Sequence, residues 1–165
     1  FKGAQESAQY LMSRGYKRIA FVAWEPTDEQ IQDRIQGFTG VCPVPSELIV
    51  REKLSSEGGY KATEKLFSLP NPPDAVFYSC DQMAAGGFRY MLEHKINVPE
   101  DVGIMGFDNL PIAELMGITT MSQFLDSEAH MVVSYLVDRL RFPDKNHLSD
   151  EISISPKLVT RASTK

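Results

Sequence analysis

Apolar residues fall along this chain in two alternating rhythms. Residues 3–14 (GAQESAQYLMSR) place Ala4, Ala8, Leu11 and Met12 at helical spacing, and Gly15 follows as a helix-ending signal. Residues 18–23 (RIAFVA) are almost wholly apolar, the pattern of a strand covered on both faces. Asp28 suits the cap of a helix reaching about Gly40, with Ile31, Ile35 and Phe38 on one side. After Pro43 and Pro45, residues 47–51 (ELIVR) read as a second strand. A helix over 57–68 carries Tyr60, Thr63, Leu66 and Phe67 on one stripe and ends at Pro70, Pro72 and Pro73. Residues 75–79 and 102–107 read as the third and fourth strands, with an Asp81-capped helix to about Lys95 between them. Residues 109–116 read as a loop or short helix, and 119–122 as a short extended piece. Residues 126–141 form a strongly amphipathic helix through Ala129, Val132, Val133, Leu136, Val137 and Leu140. Two extended pieces, 151–154 and 157–160, close the chain.

Alternation in units of roughly 30 residues implies parallel strands joined by right-handed crossovers. The expected fold is therefore α/β: a three-layer α/β/α sandwich with a mainly parallel, doubly wound sheet. Such sheets bind ligands beyond the carboxyl ends of their strands. That rule selects Trp24 to Asp28, Leu54 to Glu57, Cys80 with Asp81, and Asp108 with Asn109. Trp24, the sole tryptophan, offers a flat face for a sugar ring or purine, or is a rim aromatic. Arg34 lies in the second turn of its helix, and its side chain leans toward the N-terminus, so it can reach back to the strand ends or lie solvated. Asp108 can accept hydrogen bonds from vicinal hydroxyls or ring nitrogens, or serve a loop. Asp81 reads as a helix N-cap, and Cys80 as a small buried hydrophobe or a pocket wall.

Composition narrows the class. The 165 residues are 42% hydrophobic and 24% charged, which is ordinary globular chemistry. With 17 Lys+Arg against 22 Asp+Glu, the net charge of −5 argues against this stretch gripping nucleic acid. Two cysteines without a C-x-x-C favour a reducing compartment, and no histidine set has zinc spacing. No apolar run reaches membrane length, so the chain reads as soluble and cytoplasmic. No G-x-S-x-G, Walker loop or G-x-G-x-x-G appears, and no histidine neighbours Cys80 in sequence, so an enzyme reading lacks its nucleophile. The Gly58-Gly59 and Gly86-Gly87 pairs read as permitting close packing of helix on sheet. The chain begins with Phe1 rather than Met, as a fragment or processed chain would.

Six collinear stretches resemble the effector-binding core of LacI/GalR-family transcription regulators: GAQESAQYLMSRGYKRI, DRIQGF, PDAVFYSCDQMAAG, VPEDVGIMGFDN, ITTMSQ and KLVTRAS. The resemblance implies a periplasmic-binding-protein-like fold of two lobes with a small-molecule effector between them. It implies a helix-turn-helix DNA-binding segment upstream of Phe1, through which alone operator DNA would be bound. It implies that 16–123 and 151–165 form the C-terminal subdomain. Residues 1–15 and 124–150 would be remnants of the N-terminal one, their helices left with apolar faces that repack or pair with another copy. Arg34 matches the family's effector-binding arginine and Asp108 the first acid of its GF/YDD motif. Leu54 stands where relatives place a stacking aromatic, Cys80 where many have asparagine, and Phe124 where some have an aromatic at the crossover. With Trp24, these form the expected effector site, for a sugar ahead of a nucleobase, with no metal and no cofactor. Relatives dimerise through this subdomain, which points to a homodimer surface at Ala85, Phe88, Ile112 and Leu115. An extracytoplasmic sugar-binding protein of the same fold is the alternative.

Overall fold

The computed structural model describes residues 1–26, 28–123, 125–141 and 155–165. In chain order the elements are α1 (Lys2–Ser13), β1 (Ile19–Glu25), α2 (Glu29–Thr39), a 3-10 turn (Ser46–Leu48), β2 (Ile49–Lys53), α3 (Ser56–Phe67) and β3 (Ala75–Tyr78). Then follow α4 (Asp81–Glu93), β4 (Gly103–Met105), α5 (Pro111–Leu115), β5 (Thr120–Ser122), α6 (Leu125–Arg141) and β6 (Lys157–Val159). The expected strand over 151–154 and the expected effector residue Phe124 lie outside the described residues.

Strands β2-β1-β3-β4 form a parallel sheet in that order, with Phe21 opposite Ile49 on one side and Phe77 on the other. β5 and β6 form an antiparallel pair. It joins the β4 edge through parallel bridges, Met105 to Thr119 and Asp108 to Ser122. This explains why β4 is shorter than its apolar run. Gly106 and Asp108 donate instead to the Thr119 and Met121 carbonyls, carrying the pairing past the regular ladder. β2 likewise starts late, because Leu48 N–H closes a 3-10 turn on the Pro45 carbonyl.

Neighbouring residues of a strand face opposite sides, and β3 shows what covers each. Phe77 stacks on Phe38 of α2, with centroids 4.8 Å apart. Tyr78 shares a 2.7 Å hydrogen bond with Thr63 of α3. α2 thus lies on one face and α3 on the other, giving the expected three layers. Phe21 joins the aromatic cluster edge-on to both Phe38 and Phe77. All six β1 residues from Ile19 to Trp24 are buried, as a doubly covered central strand requires.

The helix starts follow local chemistry. Asp28 accepts from Ile31 N–H at 2.9 Å to cap α2, and Ser55 accepts from Gly58 N–H at 3.0 Å to cap α3. Ser55→Ala removes the only side-chain partner of that orphan donor. It should lower stability by about 1 kcal/mol, read as a shifted urea midpoint at unchanged slope.

Two expectations change here. The cap of α4 is Cys80, with Asp81 its first helical residue. The glycine pairs do more than seat helices on the sheet. A side chain on Gly59 would strike the Met83 backbone, and one on Gly86 the Ser56 backbone, so α3 and α4 cross backbone against backbone; Gly58, against the Lys53 backbone of β2, and Gly87, against Tyr78 of β3, do meet the sheet. Of the two helices expected to repack or pair, α1 is covered: Ala4, Ala8 and Leu11 are fully buried, with α2 and Phe107 against it. α6 differs, with Val132, Val133, Leu136 and Leu140 more than half exposed.

Candidate functional site

The carboxyl ends of β1, β3, β4 and β5 converge on one arginine. Arg34 projects from α2 and is only 4% exposed. Its Nη1 donates to the Ser79 carbonyl just past β3. Its Nη2 lies 3.5 Å from Asp108 Oδ1. The guanidinium carbon sits 4.1 Å over the Phe107 ring and 5.2 Å from that of Trp24. Flat aromatic faces favour a weakly hydrated guanidinium over an ammonium, so this pocket suits arginine specifically.

The Asp108 side chain is less enclosed than that of Arg34, 18% exposed against 5%. Gln123, just past β5, donates to the same Oδ1 that faces Arg34. Burial pushes the Asp108 carboxyl above its ordinary value, while Arg34 and Gln123 pull it back. Burial lowers the Arg34 pKa, and Asp108 opposes that. The result is a part-buried ion pair whose carboxylate keeps some exposure and can accept from a ligand's hydroxyls, while the guanidinium stays charged.

Trp24, Arg34, Cys80 and Asp108 are thus brought together, as expected. Cys80 is buried, and its thiol is pushed up to about 11 by burial, so it presents a neutral S–H and not a thiolate. Leu54 stays apart from this group: it follows β2 and is half exposed. Asp81 is no cap. Fully buried, it accepts from Leu110 N–H and the Thr120 hydroxyl, both at 2.6 Å, and burial raises its pKa to about 6.

Sequence reasoning missed Gln123, the Ser79 carbonyl and Phe107. Gln123 was accessible to the strand-end rule had the short 119–122 piece been counted as a fifth strand. The carbonyl carries no side-chain signal at all.

Helices α4 and α5 carry the residues expected to pair two copies. Ala85 lines a cavity of about 440 Å³ with Ser56, Gln82, Leu110, Pro111 and Ile112. Leu115 at the end of α5 is 83% exposed, whereas Phe88 packs partly against the core. No helix among the described residues is long and apolar enough to cross a membrane.

The chain matches the periplasmic-binding-protein-like domain family over residues 8–164. It is 30% identical over 170 residues to the HTH-type transcriptional repressor PurR of Escherichia coli O139:H28 (strain E24377A / ETEC), covering 99% of this chain and 49% of that protein. The chain therefore spans about half the length of the curated relatives it matches. A LacI family transcriptional regulator from Enterococcus faecium, solved with bound ribose, superposes with a TM-score of 0.88 at 28% identity, covering 99% of this chain and 62% of that one. A regulatory protein of the LacI family from Chloroflexus aggregans gives 0.88 at 25% identity, covering 99% and 61%. With that match running nearly end to end, this chain belongs to the periplasmic-binding-protein-like domain family, and its relatives are transcriptional regulators of the LacI and PurR type.

Proposed function

We propose that this chain is the effector-binding part of a ligand-responsive, cytoplasmic transcriptional repressor and has no enzymatic activity. The carrying observation is the buried Arg34 that faces Asp108 between two aromatic rings at the carboxyl ends of the strands. That geometry presents fixed donors and an acceptor edge side by side, which suits the alternating donors and acceptors of a hydroxyl-rich molecule. A sugar is favoured over a nucleobase, and Trp24 supplies an aromatic flank for a ring face. Cys80, neutral and buried, supports no nucleophilic step.

In this reading the strand ends form one wall of a two-lobed cleft. The first part of the other lobe and a helix-turn-helix lie upstream of Phe1. Effector binding favours one interlobe arrangement, and the lobes set the spacing of DNA-binding heads in a homodimer, so binding changes operator affinity. The two copies meet through α4 and α5, at Ala85, Phe88, Ile112 and Leu115.

The test is calorimetric titration of D-ribose, other pentoses, hexoses and nucleosides into the full-length protein. Ribose is the first probe because the Enterococcus faecium relative holds it. Asp108→Asn keeps the shape but removes the charged acceptor, and should weaken binding of the preferred sugar about 10- to 100-fold. Unchanged affinity in that variant would sink the assignment, as would a nucleoside binding tighter than any sugar for the sugar preference.

A further inference from the structure

Asp108 reaches the site on an unusual piece of backbone. Asp108 and the next residue, Asn109, have φ of 104° and 57°. Neither is glycine, and such a pair persists only where its surroundings over-determine it. One residue grips both ends of this pair. The backbone N–H of Asp81 donates to the Phe107 carbonyl at 2.9 Å, just before it. The Asp81 carboxylate accepts from Leu110 N–H at 2.6 Å, just after it. The other carboxylate oxygen accepts from Thr120 of β5, whose hydroxyl in turn takes Asn109 N–H at 3.3 Å. Arg161 closes the far side by donating to Asn109 Oδ1 at 2.8 Å. A side chain on Gly106 would strike the same carboxylate, so Asp81 is fitted against the backbone of the strand that delivers Asp108.

The grip also reaches the association surface. Leu110, Pro111 and Ile112 follow the turn directly and line the cavity opposite Gln82 and Ala85 of α4. α4 is the helix that Asp81 begins.

We infer that Asp81 is a positioning residue: it staples the left-handed Asp108–Asn109 turn at both ends, and so ties the orientation of the effector-facing carboxylate to that of the α5 surface. The link to effector rests on the function proposed above; the staple itself does not.

The experiment is amide hydrogen exchange by mass spectrometry on the full-length protein, comparing wild type, Asp81→Ala and Asp81→Asn. Asp81→Ala should speed exchange over residues 108–116 by about tenfold or more, while 19–25 and 31–38 stay within about twofold. Asp81→Asn keeps an acceptor for Leu110 and should restore wild-type exchange. D-ribose titration should show the same order, with affinity weakened about tenfold in Asp81→Ala and nearly recovered in Asp81→Asn. Unchanged exchange over 108–116, or an equal rise throughout the chain, overturns the staple. Where Asp81→Ala does not fold, Thr120→Val removes one of its donors within β5 and is held to the same pattern. Absence of binding by every sugar tested in the wild type overturns the sugar reading alone, because exchange still decides the staple.

Discussion

Gly86→Ala is expected to destabilise the protein by about 3 kcal/mol or more, seen as a thermal midpoint lowered by roughly 6–12 °C. Two effects compete. Alanine is better than glycine inside a helix by about 1 kcal/mol, so an open site would gain stability. At Gly86 the added carbon would overlap the Ser56 carbonyl oxygen and approach Tyr60 N to 2.9 Å. Both are backbone atoms of α3, which cannot rotate away as a side-chain tip would. The reciprocal contact, Gly59 against the Met83 backbone, pins the crossing from the other helix. Relief therefore requires α3 and α4 to separate along their whole contact, opening the packing under Tyr78 and Thr63. Separation also displaces the start of α4, where Ser79, Cys80 and Asp81 serve the site. A midpoint unchanged or raised in Gly86→Ala would show that the helices part freely and that the crossing is not set by backbone contact.

That example marks where the sequence is legible and where it is not. Period-2 and period-3.6 patterns place every described strand, and every described α-helix but the short α5, within a few residues, because burial acts on whole faces. The strand-end rule finds Trp24 and Asp108 without reference to relatives, and the N-terminal lean of helical side chains brings Arg34 to them. What escapes are facts of contact between distant segments. Asp81 looks like a cap because capping is local, yet its partners lie 29 and 39 residues away. Gly59 and Gly86 are visible as glycines, but that each faces the backbone of the other's helix follows only from the helix crossing. Ser79 serves Arg34 through a carbonyl that any residue would carry. α1 and α6 are both amphipathic in sequence, and only the assembled chain distinguishes the one whose stripe is covered from the one whose stripe is open.

Arg34→Met is expected to abolish sugar binding and to destabilise the fold in a pH-dependent way. Methionine keeps an unbranched apolar stem against Phe107 and Trp24, so the packing loss is small. The electrostatic loss is not small. Asp108 remains part-buried with Gln123 as its remaining partner, and the Ser79 carbonyl loses its donor. Stranding one member of such a pair costs about 3–5 kcal/mol when the group stays ionised. Asp108 already titrates above the ordinary carboxylate value because of burial, and Arg34 is the strongest influence holding it down. Without Arg34 its folded-state pKa rises further above the unfolded one. A carboxyl shifted upward stabilises the fold below the unfolded pKa, and that contribution disappears as pH rises through the folded pKa. The deficit of Arg34→Met against wild type should therefore be smaller at pH 5 than at pH 8, measured by urea unfolding at each pH. Asp108→Asn in the Arg34→Met background removes the stranded charge and should recover about 1–3 kcal/mol at pH 8, a non-additivity that reports the coupling directly. An additive double variant, with equal deficits at both pH values, would mean that Arg34 stabilises this end of the sheet through its aromatic and carbonyl contacts alone, and that Asp108 is solvated without it.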